Sequence, residues 1–362
     1  MEMEPTTIVR TAKKAERAYL DIDSGLRPEQ YSVSLTDQSL EAPMNDRYPG
    51  LPLTAVLLVI LLLSWAVTDG RAADTPSLDG YWTNDTYTPL ERPAELGDKE
   101  FFTRAEAAAF IKSRTDKLLA QPKDDIHYDD AIWQGENYAK QEHLRTSLIV
   151  QPRNGKLPPL TREGQRRLAH QQATQRATAS INSAQSRSLA ERCISWGNVG
   201  PPMIPPTYYA NLQIMQTRDQ VVIRHELMDG VRVIHMDGRP HPGSSVQWLS
   251  GHSTGRWQGQ ALVVDTTNFT ERTNFRGSPQ NTRQDIFATE RLHVLERFTP
   301  IDANTIRYEF TVEDPDTWTM PWSGEMSMRR IEGPIYEYAC HEGNYGLANI
   351  LRGARVAEGR RP

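Results

Sequence analysis

Hydrophobic and polar residues follow three different patterns along this chain. Between Tyr48 and Thr68 there is no charged side chain in 21 positions, and Leu51–Val67 is dominated by Leu, Val, Ile and Ala. From Thr103 to about Ala120 and from Thr161 towards Ser188 the chain is Ala- or Gln-rich and shows no alternation. Beyond Glu191, strand signals return every 10–15 residues with turn formers between them. The clearest run interleaves Ile306, Tyr308, Phe310 and Val312 with Arg307, Glu309, Thr311 and Glu313. A period of two is the mark of a strand with one buried face and one wetter face.

Local signals set the element boundaries. Thr103-Arg104-Ala105-Glu106 is a capping box, so a helix is expected to about Ala120, ended by Pro122. Thr161 opens a second helix, with Leu168 among Arg166, Arg167 and several Gln; so weak an apolar face places it on the surface. Leu148–Val150 reads as a short strand stopped by Pro152, and Pro201–Pro206 interrupts regular structure. Leu212–Thr217 is then a strand. Four hairpins follow. Gln220–Met228 and Val231–Met236 flank Asp229-Gly230, and Gly255–Trp257 and Ala261–Thr267 flank Gln258-Gly259. Arg291–Thr299 and Thr305–Glu313 flank Asp302-Ala303-Asn304, and Glu325–Ile331 and Ile335–Cys340 flank Gly333-Pro334.

Such an antiparallel meander leaves exposed edges unless it closes. The expected body is therefore mainly β (α+β), a lipocalin-like β-barrel over residues 191–356, with an open sandwich as the alternative. Residues 73–190 form a helical and irregular N-terminal wrap containing the two N-terminal helices, and 357–362 a tail.

The uncharged stretch changes the picture of where this body works. It is long enough to cross the ~30 Å hydrocarbon layer as a helix, and it equally suits a signal-peptide core. Gly70 and Ala72 stand just after it at the spacing of small residues that a signal peptidase reads. Residues 1–47 are a polar leader in which Met44 marks a shorter start that would give an ordinary signal peptide. With the long leader, six Lys/Arg precede the segment and hold the N-terminus inside. Either way the body is exported, periplasmic or secreted, and membrane contact is confined to residues 48–68 if they are not cleaved.

Composition narrows the partners. Residues 1–72 hold 10 acidic and 7 basic side chains, so the remainder has 46 − 10 = 36 and 41 − 7 = 34, a net charge near −2. That balance offers no electrostatic footprint for nucleic acid and favours a small-molecule ligand or substrate. The two cysteines, Cys193 and Cys340, read as a disulfide in an oxidising compartment; a thiolate metal site is the alternative, without CxxC spacing to support it.

Candidate chemistry gathers in three places. In the first hairpin, a two-residue turn pairs Met228 with Val231, Glu226 with Val233 and Arg224 with His235, making Glu226 and His235 diagonal neighbours. Arg232 falls on the other face with Ile223, His225 and Ile234. Immediately downstream, Asp237-Gly238-Arg239-Pro240-His241 leaves a strand end, where loops commonly carry function. Its bland reading is an Arg–Asp pair at a turn. The third place is Tyr336 to Tyr345, where a bridge to Cys193 would hold His341 and Glu342 rigidly.

Imidazoles exchange protons near neutral pH and carboxylates orient them, so His341, Glu342, His241, Asp237 and Arg239 are the expected catalytic set. Glu226, Arg232, His235, Tyr338, Asn344 and Trp257 are expected to contact substrate. His235, His241, His341 and Glu342 are also zinc or iron ligand types, but no HExxH-like spacing is present and neither metal nor cofactor is expected. Gly251-His252-Ser253-Thr254-Gly255 matches the nucleophile-elbow pattern, yet leads into another strand rather than a helix.

Taken together, Leu90-Glu91-Arg92-Pro93, Glu191-Arg192-Cys193, Asp237 to His241, Gly255-Arg256-Trp257, Thr266 to Phe269, Tyr308-Glu309-Phe310, Glu313-Asp314-Pro315, Pro321-Trp322 and Tyr336 to Tyr345 resemble a family of exported bacterial proteins. The resemblance runs from about Asp79 to Arg355 and implies a recurring set of Glu226, Arg232, His241, His341 and Glu342. It supplies no reaction. The sequence departs from that pattern at Asp229-Gly230 and at Gly251-His252-Ser253. The expected function is acid–base turnover of a small, partly apolar molecule by a lyase, isomerase or hydrolase; a non-catalytic lipocalin-like binding protein is the alternative.

Overall fold

The computed structural model of this chain describes residues 75–120, 144–176, 181, 183–187, 189–195, 200–205, 209–271, 274–276, 285–287 and 289–359. The apolar stretch Tyr48–Thr68, the leader with Met44, and Gly70 and Ala72 lie outside the described residues. Among the described residues, no helix is long and apolar enough to cross a membrane.

The first elements are strand β1 (Gly80–Thr83), helix α1 (Arg104–Leu119), β2 (Ile149–Gln151) and α2 (Arg162–Arg176). Then come β3 (Asn211–Gln216), β4 (Gln220–His225), β5 (Val231–His235), β6 (His252–Gln258) and β7 (Ala261–Thr267). A separate two-stranded sheet, β8 (Asn274–Arg276) and β9 (Asp285–Phe287), precedes β10 (His293–Asp302), β11 (Thr305–Glu313), β12 (Trp322–Ile331) and helix α3 (Tyr345–Ala357).

Nine strands close into a barrel in the order β1-β3-β4-β5-β6-β7-β10-β11-β12, and β12 pairs back onto β1 through Ile331↔Tyr81 and Arg329↔Thr83. β12 has 10 residues and β1 only 4, so the same edge of β12 also receives β2 at Gly324↔Ile149. Two short strands thus fill one seam. The alternation read from β11 holds, with Ile306, Tyr308, Phe310 and Val312 all buried in the interior. Phe310 lies directly on Gly324, where a Cβ would fall 2.3 Å from its ring, so this position of β12 has room only for hydrogen.

Helix signals acted as their chemistry requires. Thr103 N–H donates to Glu106 Oε2 at 2.8 Å and Glu106 N–H to Thr103 Oγ1 at 3.3 Å, the reciprocal capping box of α1. Thr161 Oγ1 accepts from Gly164 N at 2.9 Å at the start of α2, while its own N–H donates to Thr317 O at 3.0 Å. The hairpins at Gly259 and at Ala303-Asn304 have two-residue turns, with Gln258↔Ala261 and Asp302↔Thr305 as the closing pairs. Gly259 occupies the left-handed φ of +60° that its turn requires.

Three expectations are corrected. The β4–β5 turn is not a two-residue turn: Arg224↔Val231 is the last pair, so residues 225–230 span it. Leu227 is drawn fully into the core, and Met228 (φ 62°) and Asp229 (φ 47°) take up the left-handed backbone this requires. The register differs from the expected one by four residues, an even number, so the grouping of faces survives and Arg232 still points with Ile223 and Ile234. Second, the wall is not wholly antiparallel, because β5 and β6 pair in parallel at Ile234↔Ser253 and His235↔Thr254. Residues 236–251 make the long return that parallel pairing needs. Third, Ile335–Cys340 is not a strand. The edge it would have joined is already held by β1, and Tyr336 N–H donates instead to Glu226 Oε1 at 3.1 Å. β1 itself was hidden in a turn-rich stretch too short to show a period.

Candidate functional site

The outer wall formed by β6, β7 and β10 carries the densest group of titratable side chains. Asp265 sits on β7 between fully buried Val264 and Thr266, so the pleat turns its carboxylate outward. Its Oδ1 lies 3.2 Å from His241 Nε2 and 3.2 Å from His293 Nε2. His241 Nδ1 lies 2.9 Å from His252 Nδ1. The rings of His235 and His252 stack at 5.1 Å, and Trp248 contacts His252 at 5.5 Å. His293 Nδ1 is 4.0 Å from Glu313 Oε2.

The parallel crossover delivers two of these groups. It folds back over the wall and sets His241 and Trp248 against His252, the first residue of β6. Asn268, at φ 60°, pins the loop by donating through Nδ2 to Pro242 O, Gly243 O and Val246 O at 3.2, 3.1 and 2.9 Å. Trp248 N–H donates to Asn268 O at 2.9 Å.

Electrostatics push members of this group apart. Hydrogen bonding to Asp265 raises His293 above the ordinary histidine range. The same contact with His293 is the main cause that lowers Asp265. His252 is lowered, first by desolvation and then by the neighbouring His241, His235 and Arg239. His235 is lowered by desolvation and Arg239. One imidazole is therefore biased towards the cation and two towards the neutral base. Among the described residues no group of three His, Cys, Asp or Glu is arranged to hold a metal ion.

A second polar group lies inside the barrel. Arg232 Nη1 donates to Glu296 Oε1 at 2.9 Å and Nη2 to Glu296 Oε2, with both side chains buried. Arg232 Nε and Nη2 also reach Ser253 Oγ and Thr266 Oγ1 at 3.0 Å each. Tyr308 donates to Glu296 Oε1 at 2.7 Å and accepts from Met203 N at 2.9 Å, and burial pushes its phenol well above the ordinary range. These bonds engage four of the five guanidinium N–H donors and both oxygens of Glu296, which is how a charge survives in a core. Next to it, His225 Nε2 is buried without a partner among the described residues. Desolvation and then Arg232 hold that ring down to about 3.

The residues expected from sequence divide among these places. His235 and His241 belong to the outer cluster, with the exposed ion pair Asp237–Arg239 beside them, in which hydrogen bonding to Arg239 lowers Asp237 to about 2. Arg232 is in the interior network. Trp257 packs against the core and is not on the outer wall with the imidazoles. Glu226 is buried at the barrel end, accepting from Asn211 Nδ2 at 2.8 Å as well as from Tyr336 N.

His341 and Glu342 are exposed on a turn and share no hydrogen bond, ion pair or ring contact with the His241 cluster. Cys193 and Cys340 do form the disulfide, with Cα atoms 5.6 Å apart, so the covalent strut exists. What it steadies is a helix start: Asn344 caps α3 through Leu347 N at 3.4 Å and donates to Glu191 O at 3.3 Å. Tyr338 meets Tyr209 edge to face at 5.0 Å. Convergence of residues 241 and 341 inside the barrel is thus not what the fold provides; 241 lies on its outside.

Three cluster members, His252, Asp265 and His293, were missed. Asp265 and His293 had a usable signal, being polar at outward positions of alternating strands. His252 was hidden by attention to Ser253, which faces inward and bonds to Arg232 and Thr266. Two further residues singled out in the sequence do structural work. Buried Arg92 donates to Thr146 Oγ1 at 3.0 Å and Arg153 O at 3.1 Å. Buried Asp314 accepts from Thr289 N at 2.9 Å and Thr317 Oγ1 at 2.8 Å. Comparison with protein-family models, curated proteins and solved structures finds no match to this chain.

Proposed function

We propose that this chain is an exported acid–base enzyme whose reacting groups are His252 and His293, coupled through His241 and Asp265. The observation that carries the reading is the continuous chain of polar contacts His252–His241–Asp265–His293, in which His241 Nε2 also meets Thr254 Oγ1 at 3.3 Å, with its end imidazoles biased in opposite directions. Environments that push titratable partners apart assign the acid and the base.

The tautomers follow from the partners. Ionised Asp265 accepts from His293 Nε2–H, and His241 turns its Nε2–H towards Asp265 and Thr254 Oγ1. His241 Nδ1 then accepts from His252 Nδ1–H, which leaves a lone pair on His252 Nε2. That nitrogen takes a proton from a substrate C–H or from water, and His241 with Asp265 stabilises the imidazolium. The protonated His293 returns a proton from Nδ1 to the leaving or rearranged group. The balance is one proton in and one out, as in a lyase, an isomerase or a hydrolase acting on a small organic molecule.

The disulfide supports work in an oxidising compartment, and with it export through the segment at 48–68, cleaved or retained as an anchor. Within the family that the motifs resemble, Asp237 to His241 would be the loop that delivers the central imidazole. The alternative is a lipocalin-like binding protein without catalysis. It needs room inside the barrel, where Trp82, Phe298, Tyr308, Phe310 and Trp322 are all fully or almost fully buried.

The test uses generic probes of a positioned base, 5-nitrobenzisoxazole and p-nitrophenyl acetate. His252→Ala and Asp265→Asn are expected to lower turnover by about 100-fold or more, the range of positioned acid–base groups, while melting temperature stays nearly constant. Turnover equal in both variants and the parent, or none above free imidazole, refutes the proposal.

A further inference from the structure

We infer that a groove adjoining the imidazole chain is a binding site for a small monocarboxylate, anchored on Arg256. The groove measures about 330 Å³ and lies across the outer wall from β6 to β12. That volume is at the lower end of small-ligand sites. The inference rests on the acid–base reading only for which end of the ligand reacts.

Strand registers lay out its chemistry in rows. One row runs Arg256↔Val263↔Arg297↔Glu309↔Glu325. Cations stand on the β6 and β10 side and anions on β11 and β12. Most of these charges are matched: Arg297 lies 4.0 Å from Glu309, and Glu325 is 3.3 Å from Arg145. Arg256 is different. It has no acidic partner among the described residues. Gln258, in the amide orientation its neighbours select, accepts from Arg256 Nε at 3.0 Å and Nη2 at 3.1 Å. A neutral amide thus orients the guanidinium without discharging it. A planar fork held in this way suits a carboxylate.

The floor beside it is apolar. Val263 is buried although it stands in the outward row, and Leu295 is 39% exposed. Leu295 is the cross-strand partner of Asp265. At ~3.3 Å per residue, the Asp265 row lies roughly 7 Å from the Arg256 row, and His252 about 13 Å along β6 from Arg256. A carboxylate on Arg256 with a short apolar body over Val263 and Leu295 therefore presents its far end to Asp265 and the His293 ring bonded to it.

Calorimetric or NMR titration of the full chain with hexanoate tests this, with hexanamide as its neutral twin and acetate as the anion without a body. Hexanoate is expected to bind at least about 10-fold more tightly than either. Arg256→Gln should remove the preference for hexanoate over hexanamide, and Leu295→Ser should weaken hexanoate but not acetate. Arg218→Gln, at an exposed position between β3 and β4, should leave hexanoate binding unchanged. Equal binding of acid and amide, or hexanoate binding untouched by Arg256→Gln, overturns the inference. Because binding is read without turnover, a failure of the acid–base proposal leaves this titration intact, and the reverse also holds.

Discussion

Replacing His225 by Leu is expected to flatten the acid side of the stability curve of this barrel. In the unfolded chain the imidazole takes up a proton below its ordinary value of 6.5, whereas in the folded interior it stays neutral down to about 3. The unfolded state therefore holds the extra proton in this window, and stability falls as pH falls. Across the 3.5 pH units between those values a single group contributes about 5 kcal/mol, and between pH 6.5 and pH 5 about 2 kcal/mol. Carboxylates held near 2 by their partners, such as Asp237, titrate well below that interval and do not obscure it. His235 and His252 shift in the same direction as His225, but they are present in both proteins and cancel in the comparison. Since His225 Nε2 has no hydrogen-bond partner among the described residues, Leu removes a desolvated nitrogen and keeps similar volume, so the variant should stay within about 1.5 kcal/mol of the parent at pH 7. Urea unfolding at pH 7 and pH 5 reads the difference directly. The parent should lose about 2 kcal/mol more than the variant between the two conditions. Identical losses, or an NMR titration placing the His225 ring near 6.5, would show that the interior does not exclude the charge.

Other outcomes follow from the same geometry. Arg232→Leu alone strands the Glu296 carboxylate and should cost about 3–5 kcal/mol in denaturant unfolding, whereas Arg232→Leu with Glu296→Leu should cost clearly less. Cys193→Ala with Cys340→Ala opens a loop of 147 residues and should cost up to about 5 kcal/mol by loop entropy, with early proteolysis near α3. Asp265→Asn removes the contact that raises His293, so its proton NMR titration should move to lower pH and the alkaline limb of probe turnover with it. In the parent, that raised value makes the His293 contact most stabilising at low pH, and the benefit is lost as pH climbs through it. Asn268→Ala should release the 242–246 loop at a cost of about 1–2 kcal/mol and broaden the His241 ring signals.

Much of the wall was legible because alternation is a local property. β11 could be read residue by residue, and the turns at Gly259 and Ala303-Asn304 followed from two or three side chains. What failed depended on distant neighbours. Ile335–Cys340 has strand composition, but the edge it would need is filled by Tyr81–Thr83, some 250 positions earlier, and no window over the sequence reveals an occupied edge. The site was legible in its chemistry and not in its location. His235 and His241 were found as proton-exchanging groups near a strand end. Their partners Asp265 and His293 come from strands brought alongside by register, and the crossover that sets His241 outside the wall depends on parallel pairing that the hairpin signals did not contain.

The seam between Tyr81 and Ile331 joins the first and last strands of the ring. No shortened chain that ends before Ile331 can complete it, so every nascent or truncated form presents two open strand edges. Closure must await synthesis of nearly all the protein, and contacts this far apart in sequence form slowly. In the exported protein proposed above, that delay would keep the thread from locking into a rigid cylinder while it passes a narrow channel.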